Sequence, residues 1–70
     1  MKKKYVLDGE INGQPIRARS YRTRLDAERV LGNMLTWKNI QVEEDRFPEP
    51  HTEEFVCNQY TRFFIRRVED

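Results

Sequence analysis

Seventy residues, 37% hydrophobic and 36% charged, are enough for one small domain (1–70) and no more, because a chain this short buries only about 60% of the surface its unfolded form exposes. Four Phe, three Tyr and one Trp exclude a disordered tail, and the lone Cys57 excludes an internal disulfide or a cysteine metal site, which fits a reducing, cytoplasmic setting. The net charge of +1 hides a segregation: residues 1–38 hold nine Lys/Arg and four Asp/Glu (+5), residues 39–58 one and six (−5), and residues 59–70 three and two (+1).

The opening MKKK is followed by only three apolar residues, Tyr5 to Leu7, where a secretory signal needs about 7–15, so export is not expected. No stretch approaches the roughly 18 apolar residues of a membrane span. Asn12-Gly13 tolerates the positive φ angles of a two-residue hairpin turn. Pairing about it sets Gly9 opposite Ile16, Leu7 opposite Ala18 and Tyr5 opposite Ser20. The other face then carries Lys4, Val6, Asp8 and Glu10 with Pro15, Arg17, Arg19 and Tyr21.

Thr23 with Asp26 three residues on is a capping box in which Asp replaces the usual Glu or Gln, so a helix is predicted from Arg24. Ala27, Val30, Leu31, Met34, Leu35 and Trp37 fall on one side of it, leaving Leu25 outside and Gly32 on the polar side. Ile40, Val42 and Glu44 alternate with Gln41 and Glu43 as a short strand. Pro48 and Pro50 then make RFPEPHTE an extended loop.

The tail, EFVCNQYTRFFIRRVE, admits two readings. Its aromatic and β-branched residues favour a hairpin turning at Asn58-Gln59, while Phe55, Val56, Gln59, Tyr60, Phe63 and Phe64 also recur at helical spacing. The weak helix propensities of Val, Cys, Asn, Tyr, Thr, Phe and Ile select the hairpin. The fold predicted is α+β, an antiparallel sheet in the order ββαβββ with the helix on one face, or ββαβα if the tail is helical.

Neither a catalytic nor a metal site is expected. His51 and Cys57 lack an orienting third group, and His51 with Glu49, Glu53 or Glu54 falls short of a zinc set. The glycines are too scattered to cradle a phosphate, so no cofactor or small-molecule substrate is expected. What remains is a surface. Successive strand residues point to opposite faces, so Phe63 and Phe64 cannot both enter one core.

Either Phe64 faces outward between Arg62 and Arg66 or, in the other register, Phe63 and Ile65 do beside Arg67; in both an aromatic residue sits among arginines, and Arg17, Arg19, Tyr21, Arg62, Phe64 and Arg66 are the expected binding set. Such a face suits a protein partner, where aromatics and Arg dominate hot spots. It also suits single-stranded nucleic acid, where bases stack on rings, although the near-zero net charge weakens that reading. A homodimer through the same face is a further expectation, and Phe47 in the proline loop is a candidate cover for Phe64. Glu43, Glu44, Asp45, Glu49, Glu53 and Glu54 form a second expected surface, an acidic loop for a basic partner. The expected function is thus a non-catalytic protein-binding module: an inhibitor, adaptor or regulatory subunit.

Overall fold

A computed structural model describes residues 4–68. Strands β1 (Tyr5–Ile11), β2 (Gln14–Pro15) and β3 (Arg19–Tyr21) precede helix α1 (Arg24–Trp37), and β4 (Glu44–Glu49), β5 (Thr52–Asn58) and β6 (Thr61–Arg67) follow it. All pairings are antiparallel, in the order β2-β1-β6-β5-β4, with β3 also on β1. The α+β class is as expected, and the tail is a hairpin rather than a helix.

The strand count differs because the second strand is broken. Asn12 (φ +53°) and Gly13 (φ +82°) make the predicted turn, and the pairs Glu10↔Pro15 and Ile11↔Gln14 keep the expected register. Residues 16–18 then leave the ladder, and pairing resumes one residue out of step, as Leu7↔Arg19, Val6↔Ser20 and Tyr5↔Tyr21. A one-residue slip exchanges the faces of every later side chain. Arg19 and Tyr21 consequently lie on the helix side, opposite to expectation.

Helix α1 starts where the cap places it, Thr23 Oγ1 accepting from the Asp26 N–H at 3.2 Å. It ends on Asn39 (φ +53°), where the Asn39 and Ile40 N–H groups donate to Thr36 and Leu35, a left-handed stop that satisfies two terminal carbonyls. Ala27 and Leu31 are buried, and Val30, Met34 and Leu35 pack partly against the core. Trp37, assigned to that stripe by periodicity, is instead 88% exposed: it lies in the last turn, beyond the part of the helix that meets the sheet.

Residues 40–43 form no strand, although Ile40 and Val42 still pack against the core. β4 begins at Glu44 and runs through Pro48, so the expected proline loop is itself mostly strand. Proline is tolerated because β4 is an edge, and the register shifts beside it, between Arg46 and Glu49. Pro50 and His51 (φ +64°) make the tight turn into β5, with proline in the position that fixes a negative φ. The β5–β6 hairpin turns on Gln59-Tyr60, one residue later than expected, and Asn58 Oδ1 accepts from the Tyr60 N–H at 2.8 Å.

The core lies between α1 and one sheet face: Leu7, Ala27, Leu31, Cys57, Phe63 and Ile65. Two turns brace each other at one end, the Asn12 N–H donating to buried Thr61 Oγ1 and the Gly13 N–H to the Tyr60 carbonyl.

Candidate sheet-face interface

Phe63 is fully buried against the helix, so Phe64 points the other way, onto a sheet face that carries no helix. Registered strands place aligned residues side by side. Three rows cross this face: Ser20–Val6–Arg66–Thr52, then Asp8–Phe64–Glu54–Arg46, then Glu10–Arg62–Val56–Glu44. Phe64 stands in the middle row with Arg62 and Arg66 above and below it on its own strand. A shallow cleft of about 380 Å³ opens beside the ring, bordered by Pro48, Glu49 and Thr52 as well as these charges.

The arginines are held by carboxylates of neighbouring strands. Arg66 pairs with Asp8, and Arg62 pairs with Glu10 at 2.9 Å while approaching Glu54 at 3.6 Å. The Glu54 side chain is only 8% exposed, so Arg62 compensates a carboxylate largely removed from water. At the edge Arg46 pairs with Glu44 and holds that carboxyl below its usual range through their hydrogen bond and charge. In these rows four carboxylates (Asp8, Glu10, Glu44, Glu54) face three guanidiniums (Arg46, Arg62, Arg66), and Glu49 borders the same cleft, so the surface is not basic.

The expected site is thus divided. Arg62, Phe64 and Arg66 come together, whereas Arg17, Arg19 and Tyr21 line a separate groove between β3 and α1. Phe47 does not cover Phe64: it is 70% exposed and borders a cleft with Tyr5 and Ile65 on the helix side. The expected acidic loop is likewise dispersed over both faces of the β4–β5 hairpin, with Glu44 and Glu54 on the open face and Asp45 and Glu53 on the helix side. Glu53 pairs with Arg24, and its burial pushes its carboxyl above the usual range against that arginine's opposing pull. Glu43, Asp45 and Glu49 have no ion-pair partner among the described residues.

Two features escaped sequence reasoning. Glu10 and Asp8 against Arg62 and Arg66 form a complementary ladder, readable only once β1 is known to pair with β6, more than fifty residues away. Both sheet edges are also blunted, by Pro15 and the break at 16–18 on one side and by Pro48 and its register shift on the other. Such devices oppose edge-to-edge strand pairing.

His51 and Cys57 sit at opposite ends of β5, about 20 Å apart at the usual strand rise. Cys57 is buried, which pushes its thiol up from the ordinary value. No cluster of three or more His, Cys, Asp or Glu suited to a metal occurs among the described residues, and none of their helices is long and apolar enough to cross a membrane. No protein-family model, curated protein or solved structure matches the chain.

Proposed function

We propose that this protein is a non-catalytic, cytoplasmic protein-binding module, an inhibitor, adaptor or regulatory subunit, which meets its partner through the open sheet face. Phe64 is the anchor, and Arg62 and Arg66 are the orienting hydrogen-bond donors. One observation carries the reading: a half-buried aromatic ring at the centre of a sheet face that carries no helix, between two arginines already held in place by Asp8, Glu10 and Glu54.

Arginine and aromatic anchors dominate interface energetics. Guanidiniums immobilised before the encounter lose less side-chain entropy on binding, a cost of about 0.5–1.5 kcal/mol for each freely rotating side chain. The blunted edges turn a partner away from strand addition and toward side-chain contact with the face. Glu43 and Glu49 along the β4 side add an acidic rim that orients a basic partner.

Single-stranded nucleic acid has less support. Its affinity rests on phosphate neutralisation, and here Arg62 and Arg66 are already matched by carboxylates. A second copy meeting the same face is a special case of the protein reading.

The test is affinity capture from the native cell with wild type, Phe64→Ala and Arg66→Glu in parallel, with folding confirmed by circular dichroism. A protein retained by wild type and lost in both variants supports the reading; identical captures refute the role of the face. A mobility shift with single-stranded RNA and DNA at low and moderate salt distinguishes the other class: strong, salt-sensitive binding lost in Arg66→Glu overturns the proposal.

A further inference from the structure

The slip that turns β3 toward the helix creates a second surface. Between β3 and α1 runs a groove of about 240 Å³ floored by Leu7, Ile16, Val30 and Met34. Arg17 and Arg19 stand on its rim, both exposed and both without an ion-pair partner among the described residues. Tyr21 lines it too, and its hydroxyl is buried with no hydrogen-bond partner, an omission that costs about 1–3 kcal/mol. An apolar floor under two exposed guanidiniums, unpaired among the described residues, suits an apolar side chain accompanied by carboxylates.

This chain carries such a segment on its opposite edge. Phe47 on β4 is 70% exposed, and Asp45, two residues before it, shares its helix-side orientation. Asp45 is unpaired among the described residues, as are Glu43 and Glu49 nearby. The edges lie four strand spacings apart, about 19 Å at the usual separation. The molecule is therefore polar across its sheet: residues 1–38, with +5, supply the groove edge, and residues 39–58, with −5, supply the β4 edge. Groove and ring both lie on the helix side of their edges, so translating one copy along the sheet, without turning it over, brings the ring of one to the groove of the next.

We propose that a second copy of this chain is the occupant, docking head to tail. Phe47 of one molecule enters between Val30 and Met34 of the next, where sulfur and ring are favourable neighbours. Asp45 meets Arg17 and Arg19 on the groove rim. The edges are blunted, so side chains rather than a continued β-ladder make the contact. A heterologous contact that does not close into a ring grows as an open chain, and its ionic part weakens with salt.

Sedimentation and light scattering from about 10 μM to about 1 mM protein span the weak range of affinity, read at about 20 mM and about 500 mM salt to vary screening. Wild type is expected to at least double its weight-average mass at high concentration and low salt and to return to monomer at high salt. Two blocked variants make the geometry decisive. Arg17→Glu/Arg19→Glu loses the groove and keeps the ring; Asp45→Lys/Phe47→Ala loses the ring and keeps the groove.

Each folded variant alone is expected to be monomeric, and an equimolar mixture is expected to form a dimer and nothing larger. Phe64→Ala is expected to associate as wild type does, which separates this contact from the open-face reading. A wild type that stays monomeric throughout overturns the proposal. So does a mixture of the two variants that stays monomeric while wild type associates, or association abolished by Phe64→Ala.

Discussion

Replacing Gly9 with alanine tests whether the closeness of β1 and β6 sets the architecture that turns Phe64 outward. Gly9 lies opposite Phe63 in the pairing that runs from Tyr5↔Arg67 to Glu10↔Arg62. A Cβ at Gly9 would stand 2.3 Å from the Arg62 carbonyl oxygen and 2.7 Å from the Phe63 Cα, against the 3.3 Å or so that even a close carbon–oxygen contact requires. Both obstructing atoms are backbone, so the strands must separate by about 1 Å. The residue also holds φ +152°, a conformation that side-chain-bearing residues rarely adopt. Strain of about 1–3 kcal/mol together with one or two weakened ladder hydrogen bonds at about 1 kcal/mol each comes to about 2–5 kcal/mol. A domain of this length has a total stability of about 4–10 kcal/mol. The thermal unfolding midpoint followed by circular dichroism should therefore fall by at least about 8 °C, at about 4–8 °C per kcal/mol. Two other glycines calibrate the result, since a Cβ at either meets nothing within 4 Å. Gly13→Ala carries only the cost of its positive φ, about 1–2 kcal/mol, and Gly32→Ala in α1 gains about 1 kcal/mol from helix propensity. A Gly9→Ala protein melting within about 3 °C of wild type, or no lower than Gly13→Ala, refutes the steric reasoning.

Arg62→Ala leaves buried Glu54 without its cation and should cost about 1–2 kcal/mol by urea titration; Glu54→Gln in the same chain should recover a large part of it, a coupling that a double-mutant cycle reads directly. Glu53 has its folded pKa raised above the ordinary 4.5, first by burial. The protonated form is the one the fold favours, so its contribution is present below pH 4.5 and is lost as pH rises through the folded value. Glu53→Gln should accordingly raise the urea midpoint at pH 7 and leave it unchanged near pH 4; a lower midpoint at pH 7 would show that the Arg24 pairing outweighs burial. Cys57 is buried with its thiol pushed up by that burial, so a thiol reagent at pH 8 should react about 10²–10³-fold more slowly with folded than with urea-unfolded protein.

The elements were legible where a local rule decides them. Asn12-Gly13 needs positive φ at two adjacent residues, and Thr23 with Asp26 caps a helix; both hold in the structure. The propensity of the tail for strand outweighed its helical spacing because β5 and β6 meet central neighbours that reward β-branched and aromatic residues. Periodicity failed at Trp37, since a repeat records which side a residue faces and not how far along the helix the sheet extends. The Pro48 strand was hidden for a related reason: proline rules a residue out of a central strand, and only topology shows that β4 is an edge.

The site was legible by halves, and the division has one cause. From Arg62 to Arg66 the ladder on β6 is unbroken, so strict alternation correctly set Phe63 and Phe64 on opposite faces, and the burial of Phe63 decides that Phe64 is the outward one. From Pro15 to Tyr21 the same reasoning crosses residues 16–18, where the strand leaves the ladder and returns one step late. No glycine or proline within 16–18 marks the break, and alternating residues look the same on either side of a one-step slip. The displaced half is nonetheless physically distinguishable. Arg62 and Arg66 are matched by carboxylates that share their face, as charges on an open sheet must be to avoid repelling one another, whereas Arg17 and Arg19, and the buried Tyr21 hydroxyl beside them, have no partner among the described residues. Unspent donors gathered at one edge, and unspent carboxylates at the other, make the charge segregation of the sequence a property of opposite sides of one small sheet.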